Sequence, residues 1–517
     1  MSQSIKNFKL LKLKYIFSLL FIILNLVFYI LSLKNIEFHK TFFTIFIFLS
    51  AFNFLICLNS RSFFFEKFFT FYIWIGFAFF YFLHINFFNQ QYSFSIGKFD
   101  FSNQLHLKEL YLVLIVFNIG VLISIFISRK FLLYSYKPLD LKLGGFFAEK
   151  PIYFFTLIVL TIFSIFFVNY KFKIFDYYYF YESKHNFFLD SFLKWFFLFG
   201  FTSLMCILLN LKYIKQNLLK LFYIVCIQEV LFYFSILSRG CIFNTLAIFF
   251  ALISKNYKKQ NFSFKLVSFS FLFIFILFFL NFLLLIDKRG GDNLKNFQDY
   301  RGQSNFLIKN IGNFILVKKN DKNIQSEPSL EFIKINYSQK EMNYLLDPKI
   351  YTDLKNKIIR FVFVIKNRIF GIDSLMAIVS YEKKNFSFLK SSLQEKFNPG
   401  MTSFFDKIRH QNQMNEISNN VTLPSIITFL YYSGSKLFVF ISIILIMVLC
   451  NLFERLNILL NNNVYLSALI GQLLAYRLWH FGYAPLNSYK FFLSVFFTIL
   501  ICFLLTKILS KLNILRT

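Results

Sequence analysis

Several motifs that mark soluble enzymes are absent from this 517-residue chain. It has no Gly-rich phosphate loop followed by Lys-Ser/Thr, no His-Glu-x-x-His helix and no Gly-x-Ser-x-Gly segment. The last absence argues against a serine hydrolase of the usual strand-turn-helix type. The six cysteines all lie inside apolar runs or at their edges, without paired spacing, so neither a disulfide framework nor a metal site is indicated.

Acidic residues are scarce: 25 Asp and Glu stand against 56 Lys and Arg, for a net charge of +31. The basic residues are dispersed among short segments between apolar runs and do not gather on one face. Membrane topology therefore explains the charge better than a nucleic-acid partner does.

Apolar residues dominate what is present. The chain is 57% hydrophobic and 22% aromatic, with a mean hydropathy of +0.58, values typical of membrane proteins. The sequence predicts an all-α polytopic membrane protein with about twelve transmembrane helices. These are expected near residues 15–33, 41–58, 68–85, 109–128, 152–168, 192–210, 219–237, 241–253, 265–286, 436–453, 464–480 and 489–507. The first apolar run lacks a small-residue cleavage site, which favours a retained span over a signal peptide.

One long polar segment interrupts this pattern. We predict three parts: residues 1–286 with spans one to nine, a large loop over 287–424, and residues 425–517 with spans ten to twelve. Lys and Arg are more frequent in the segments on the same side of the membrane as the N-terminal tail than in the short loops on the opposite side. This excess places both termini in the cytoplasm and the loop outside it. Within the loop, the stretch from Tyr351 to Tyr381 has helical periodicity, with Gly371 as a stop signal. We expect a helix at the membrane surface or covering the membrane domain.

Ionisable residues in or beside spans are the first candidates for chemistry. By the predicted topology most of them reach the same outer level: Arg239, Asp287, Lys288, Arg289, Arg477 and His480, with Glu229 deeper in its span. Guanidinium groups bind phosphate oxygens bidentately and stay charged, which suits a lipid pyrophosphate. Gly240 would let the backbone approach such a ligand closely.

Simpler interpretations stay open for these residues. Arg239 at a helix end would snorkel to lipid headgroups. Arg477 would form a buried ion pair with Glu229 instead of contacting a ligand. His480, beside Trp479, would be an interfacial aromatic-belt residue and not a base.

Three segments resemble the bacterial oligosaccharide repeat-unit polymerases that make O-antigen or capsular polysaccharide, relatives of the O-antigen ligases. "ILSRGCIFN" (236–244) is similar to the family's Ser-Arg-Gly at the start of a span. "NRIFGIDSL" (367–375) resembles its Arg-x-x-Gly-x-Asp loop segment, and "TLPSIITFLYYSGSKLFVF" (422–440) its entry into the span after the loop.

This resemblance implies an inverting, metal-independent glycosyltransferase of the bacterial inner membrane, with no cofactor. Its substrates would be undecaprenyl-pyrophosphate-linked oligosaccharides, and its partners a chain-length regulator and a flippase. Arg239 and Arg368 would hold pyrophosphate or glycan. By position, Arg289, Arg301, Arg360 and Arg477 join Gly240 as substrate-binding candidates. The candidates for the general base are Asp287, Asp373 and His410, although the glycine that the ligases place after the loop histidine is Val421 here.

Other functions remain open at this level. A lipid-linked-oligosaccharide flippase would share the twelve spans and the cationic site but needs no large outer loop. A ligase-type glycan transferase would use His410. A transferase of single lipid-phosphate sugars normally has paired acids in its first outer loop, where only Glu37 occurs. A non-catalytic membrane component would leave the arginines unexplained.

Overall fold

The computed structural model describes residues 2–59, 62–86, 96–131, 142–143, 151–175, 187–211, 218–238, 240–256, 266–285, 371–395, 403–409, 424–482, 485–511 and 515–516. Apart from two short strands, the regular structure in these ranges is helical. The first nine helices are α1 Ser2–Leu33, α2 Lys40–Asn59, α3 Phe64–Asn86, α4 Gln104–Phe131, α5 Pro151–Phe172, α6 (Phe187–Trp195, Phe196–Gly200 and Phe201–Leu209), α7 Leu218–Ser235, α8 Cys241–Asn256 and α9 Leu266–Leu285.

Three short helices follow in the large polar segment, a fourth lies just after it, and three longer ones close the chain. They are α10 Ile372–Val379, α11 Phe386–Leu393, α12 Phe404–Arg409, α13 Ile426–Leu430, α14 Lys436–Asn461, α15 Val464–Trp479 and α16 Pro485–Lys511. Strands β1 (Lys142–Leu143) and β2 (Leu515–Arg516) pair antiparallel. Two helices contain a π-helical turn, Trp74–Phe79 in α3 and Phe196–Gly200 in α6.

Within the described ranges, nine helices are long and apolar enough to cross a bilayer: α2, α3, α4, α5, α6, α7, α9, α14 and α16. The apolar parts of α1 and α8 are shorter, at Phe17–Leu33 and Cys241–Ser254. The predicted span at 464–480 is the 16-residue helix α15, most of which is buried among the others. By length and composition this is a polytopic, all-helical membrane protein.

Polar contacts between helix ends show how the helices run. At one end, Lys436 Nζ lies 2.7 Å from Glu109 Oε2 and joins the starts of α4 and α14. At the other end, Glu454 of α14 accepts hydrogen bonds from the backbone N–H groups of Phe64 and Phe65 at the start of α3, at 3.0 and 2.9 Å. Helices α3 and α14 therefore run in opposite directions. We call the end that holds α10 to α13 the loop end, and the opposite one the far end.

Helices α3, α4, α14 and α15 pack closely because glycines line their contacts. A Cβ added at Gly471 of α15 would lie 2.5 Å from the backbone nitrogen of Phe65 in α3. One added at Gly120 of α4 would lie 2.6 Å from the Ile443 side chain of α14. Small residues at helix contacts allow membrane helices to approach each other closely. Large aromatic side chains fill the surrounding space, many of them fully buried.

Helices α10 and α13 pack on the loop end of this bundle. Every residue of α10 is buried, and Ser374 shares a 2.8 Å hydrogen bond with Thr428 of α13. Gly371 precedes α10 with a φ of +154°, and a Cβ there would lie 2.9 Å from the ring of Phe77 in α3. A helix cannot continue through such a residue, and α10 begins directly after Gly371. That Gly371 ends a helix before it stays a prediction. The rest of the predicted loop helix, 351–370, lies outside the described residues.

Candidate functional site

Ser238 and Gly240 of the Ser-Arg-Gly motif lie in the turn between α7 and α8. Gly240 lies against the ring of Tyr233, and an added Cβ would be 2.8 Å from Tyr233 Cε1. Leu237 has a φ of +53°, and the backbone N–H of Ser238 donates to the Tyr233 carbonyl at 2.8 Å. The glycine is therefore needed for close packing within the protein, a reason that the sequence did not suggest.

Below this turn lies a buried hydrogen-bond network around Glu229. The Thr202 hydroxyl donates to Glu229 Oε1, and Asn244 Nδ2 donates to Glu229 Oε2 at 2.9 Å. Asn244 Nδ2 also lies 2.9 Å from the Leu198 carbonyl and 3.2 Å from the Tyr233 hydroxyl. Tyr233 in turn donates to Leu198 O at 2.8 Å. This network joins α6, α7 and α8, and it holds the carboxyl group of Glu229 away from solvent.

The π-helical turn of α6 explains why Leu198 accepts two side-chain hydrogen bonds. An inserted residue in a helix displaces backbone carbonyls from the regular i to i+4 ladder and exposes them to other donors. Leu198 lies inside Phe196–Gly200, so its carbonyl is available to Tyr233 and Asn244. Such turns occur frequently at functional sites.

Arg477 lies at the loop end of α15. Its Nε donates to Ser488 Oγ at 3.0 Å, and its guanidinium carbon lies 5.8 Å from the ring centre of Phe491 in α16. The alternative ion pair between Glu229 and Arg477 is wrong. In the described part of the chain, Glu229 is bonded to Thr202, Asn244 and the neighbouring glutamine instead.

An aromatic cluster connects the start of α8 with the end of α15. Phe243 and Tyr476 have ring centres 4.5 Å apart, and Tyr72 of α3 stacks on Trp479 at 5.0 Å. His480 lies 4.1 Å from the Tyr476 ring, is 4% exposed, and its Nδ1 lies 2.9 Å from the Tyr476 carbonyl. The turn that contains Gly240 is thereby brought beside the last helical turn of α15 at the loop end. This helical turn contains Arg477, and we call it the Arg477 turn.

Asp373 lies in the first turn of α10 and is 4% exposed. Its Oδ1 accepts a hydrogen bond from the backbone N–H of Gly371 at 3.2 Å. This contact stabilises the start of α10, since a carboxylate is favourable at a helix N-terminus. A role as general base stays a prediction. The other predicted site residues lie outside the described residues: Arg239, Asp287, Arg289, Arg301, Arg360, Arg368 and His410.

A cavity of about 760 Å³ opens at the loop end between the start of α4, the segment after α10 and the start of α14. Its wall includes Lys98, Lys108, Lys384 and Lys436, together with Glu109 and Glu382. Sequence analysis missed this site because these lysines are far apart in the chain and resemble ordinary flanking charges. We call it the lysine cavity.

Burial changes the ionisation of two groups beside the lysine cavity. The pKa of Lys384 is lowered by burial, although the nearby carboxylate of Glu109 opposes the shift. The pKa of Tyr431 is raised by burial and by its hydrogen bond to Glu109. In the described residues, no group of three or more His, Cys, Asp or Glu side chains has a metal-binding arrangement.

The chain matches no protein-family model, no curated protein and no solved structure. The fold and the site therefore define only the class of protein. It is a polytopic helical membrane protein whose loop end holds the short helices α10 to α13, which we call the polar cap, and a cationic cavity.

Proposed function

We propose that this protein polymerises lipid-pyrophosphate-linked oligosaccharide repeat units at the outer face of the bacterial inner membrane. One observation carries the proposal. Phe243 contacts Tyr476, so the Gly240 turn and the last turn of α15 meet at the loop end. Phe429 of α13 contacts Phe481 just after α15, so the polar cap is beside them. Arg239 directly precedes Gly240 in the sequence. The Gly240 turn and the end of α15, more than two hundred residues apart in the chain, thus lie side by side. In the proposal, Arg239 and Arg477 bind the pyrophosphate of a membrane-anchored substrate there.

The proposed topology has twelve crossings, with both termini in the cytoplasm. Contacts between the ends of neighbouring helices support this topology. Contacts at the far end join Tyr223 of α7 to Ser270 of α9, at 2.9 Å, and β1 to β2. At the loop end, Asn281 near the end of α9 donates to Cys241 at the start of α8. Consecutive helices would therefore alternate in direction, and α1, α8 and α15 would cross as well as the nine longer helices.

In the proposed reaction, a hydroxyl oxygen of one oligosaccharide attacks the anomeric carbon of another, and the bond from that carbon to the pyrophosphate oxygen breaks. Arginines stabilise the negative charge that develops on the departing lipid pyrophosphate. A base takes the proton of the attacking hydroxyl. Asp287, Asp373 and His410 remain the candidates for that base. Lipid pyrophosphate is a good leaving group, so the main task of the protein is to position the two substrates.

A flippase is the alternative function for the same lipid. A flippase needs a path for the glycan through the middle of the membrane domain. In the described residues, side chains in the middle of their helices, such as Phe117 of α4 and Met447 of α14, are fully buried. This close packing favours catalysis at the loop end over transport across the bundle.

Complementation tests the proposal. In a strain that lacks this gene, we expect the Arg239→Ala and Arg368→Ala variants each to abolish polymer while single repeat units still reach the cell surface. Lys220→Ala, an exposed far-end lysine, is the matched control and should restore the full chain-length ladder. An unchanged ladder in both arginine variants would refute the polymerase. Loss of the single-unit product as well would favour the flippase.

A further inference from the structure

Polar contacts within the protein engage three charged groups of the lysine cavity, Glu109, Lys384 and Lys436. Glu109 is held on both oxygens, by the hydroxyl of Tyr431 and by Lys436 at 2.7 Å. Lys384 donates to the carbonyls of Val379 at 2.7 Å and Tyr381 at 3.2 Å. Lysine side chains near a helix C-terminus stabilise its last carbonyls, so Lys384 fixes the end of α10. These contacts connect the membrane helices to the polar cap and leave Glu109 fully engaged.

The remaining cations of the cavity have no such engagement. Lys98 and Lys108 are exposed on its wall, and neither side chain forms an ion pair or hydrogen bond in the described part of the chain. Four lysines line the cavity against two glutamates, one of which is Glu109. The cavity therefore has an excess of positive charge with two cations available to a ligand.

Other groups on the wall are suited to a sugar. His106 Nδ1 accepts a hydrogen bond from the backbone N–H of Asp100 at 3.2 Å, which leaves Nε2 as the donor of the ring. Asn103 and Ser380 add short polar side chains, and Tyr381 adds an aromatic ring. A few placed polar groups and an aromatic surface in a cavity of this volume are typical of small-molecule binding sites.

The place of the cavity in the fold favours glycan over lipid. The residues of α4 that line it lie in the first turns of the helix, and the others belong to the polar segments before α4 and after α10 and to the start of α14. The cavity thus lies at the loop end of the bundle, away from the middle of its apolar helices. It is also separate from the Gly240 and Arg477 turns, since none of their residues lines it.

We propose that the lysine cavity binds the acidic sugar of an anionic glycan, through Lys98 and Lys108 and a carboxylate or phosphate on the sugar. The identity of the glycan as the substrate's own repeat unit rests on the proposed function. The cavity would then select acidic repeat units and hold the chain beside the reaction site.

A binding measurement tests this with purified full-length protein in phosphatidylcholine nanodiscs. The probes are trigalacturonate and its methyl ester, which has the same size but no charge. We expect the acid to bind at least about tenfold more tightly than the ester, and to weaken with added salt. The K98Q/K108Q variant should lose about tenfold in affinity for the acid. Lys390→Gln, at an exposed loop lysine outside the cavity, should bind like the wild type.

Equal binding of acid and ester, or wild-type binding by K98Q/K108Q, would overturn the proposal. The proposal would also be overturned if phosphatidylglycerol in the nanodisc competed with trigalacturonate and this competition required Lys98 and Lys108. The site would then hold lipid headgroups. Failure of the proposed function gives a different result. Cells with Arg239→Ala would keep a full polymer ladder while trigalacturonate still bound in a Lys98- and Lys108-dependent way.

Discussion

Asn244 Nδ2 lies 2.9 Å from Glu229 Oε2, and this hydrogen bond joins α7 and α8 directly below the Gly240 turn. A carboxyl group without contact to solvent needs such donors, because a buried polar group that is left without a hydrogen bond is strongly unfavourable. The network therefore holds the geometry of the turn that the proposed function uses.

Replacement of Asn244 by alanine should destabilise the protein by about 1–3 kcal/mol, since it removes a hydrogen-bond donor from the buried carboxyl group of Glu229. Thermal unfolding of the detergent-purified protein measures this. The N244A/E229Q double variant should lose less than the sum of the two single losses, because both substitutions alter the same hydrogen bond. Strictly additive losses would show that the two residues do not interact.

Gly240→Ala should also destabilise the fold, by about 1–3 kcal/mol, because the new methyl group would contact the Tyr233 ring at 2.8 Å. The Tyr233→Ala background removes the ring and should abolish the extra loss on adding Gly240→Ala. The Tyr233→Phe background keeps the ring and should preserve it. An equal effect of Gly240→Ala in all three backgrounds would mean that the ring contact is not the cause.

Stability at alkaline pH should depend on Tyr431. Its pKa in the folded protein lies above the ordinary value of 10.0, because the hydroxyl is buried and donates to Glu109. The folded state keeps this proton where the unfolded chain releases it. The contribution of Tyr431 is therefore complete below about pH 10 and is lost as the pH rises further. Between about pH 8 and about pH 11, the midpoint temperature of unfolding should fall more steeply for the wild type than for Tyr431→Phe. Parallel curves of midpoint temperature against pH would contradict this.

Cysteine labelling tests which side the loop end faces. All six native cysteines are buried, so a membrane-impermeant maleimide should label the parent protein little. Ser387→Cys lies on the exposed surface of α11, and Lys220→Cys is exposed at the start of α7. In intact spheroplasts we expect labelling at position 387 and none at 220. The reverse pattern would place the polar cap in the cytoplasm and remove the basis for the proposed function.

The sequence predicted the helices better than the site. Each apolar run proposed as a span is helical, because a backbone in an apolar surrounding must satisfy its own hydrogen bonds. The contact between Gly371 and Phe77, which requires the missing Cβ, was not predicted, and the role of Gly371 as a stop for the helix before it stays a prediction. Residues 241–253 and 464–480 form helices, although shorter than the nine that meet the length and hydropathy expected of a span in the described part of the chain.

The site required contacts that no local pattern contains. An asparagine one turn into an apolar run, Asn244, was a visible signal of a buried polar contact, but its partner Glu229 belongs to another helix. The π-helical turns had no signal in the apolar sequence around them. The lysine cavity is formed by residues from three segments that are far apart in the chain.

Hydropathy and charge by themselves determined that this chain is a helical membrane protein, where its apolar helices lie, and that a large polar segment separates α9 from α14. Tertiary structure alone decided that Glu229 is bonded to Asn244 and Thr202 and not to Arg477, and that dispersed lysines share one cavity. The physical reason is that a membrane-spanning helix is specified by a continuous run of apolar residues, which are neighbours in the sequence. A hydrogen bond or a shared cavity depends on which helices pack together, and many pairings satisfy the same hydropathy pattern.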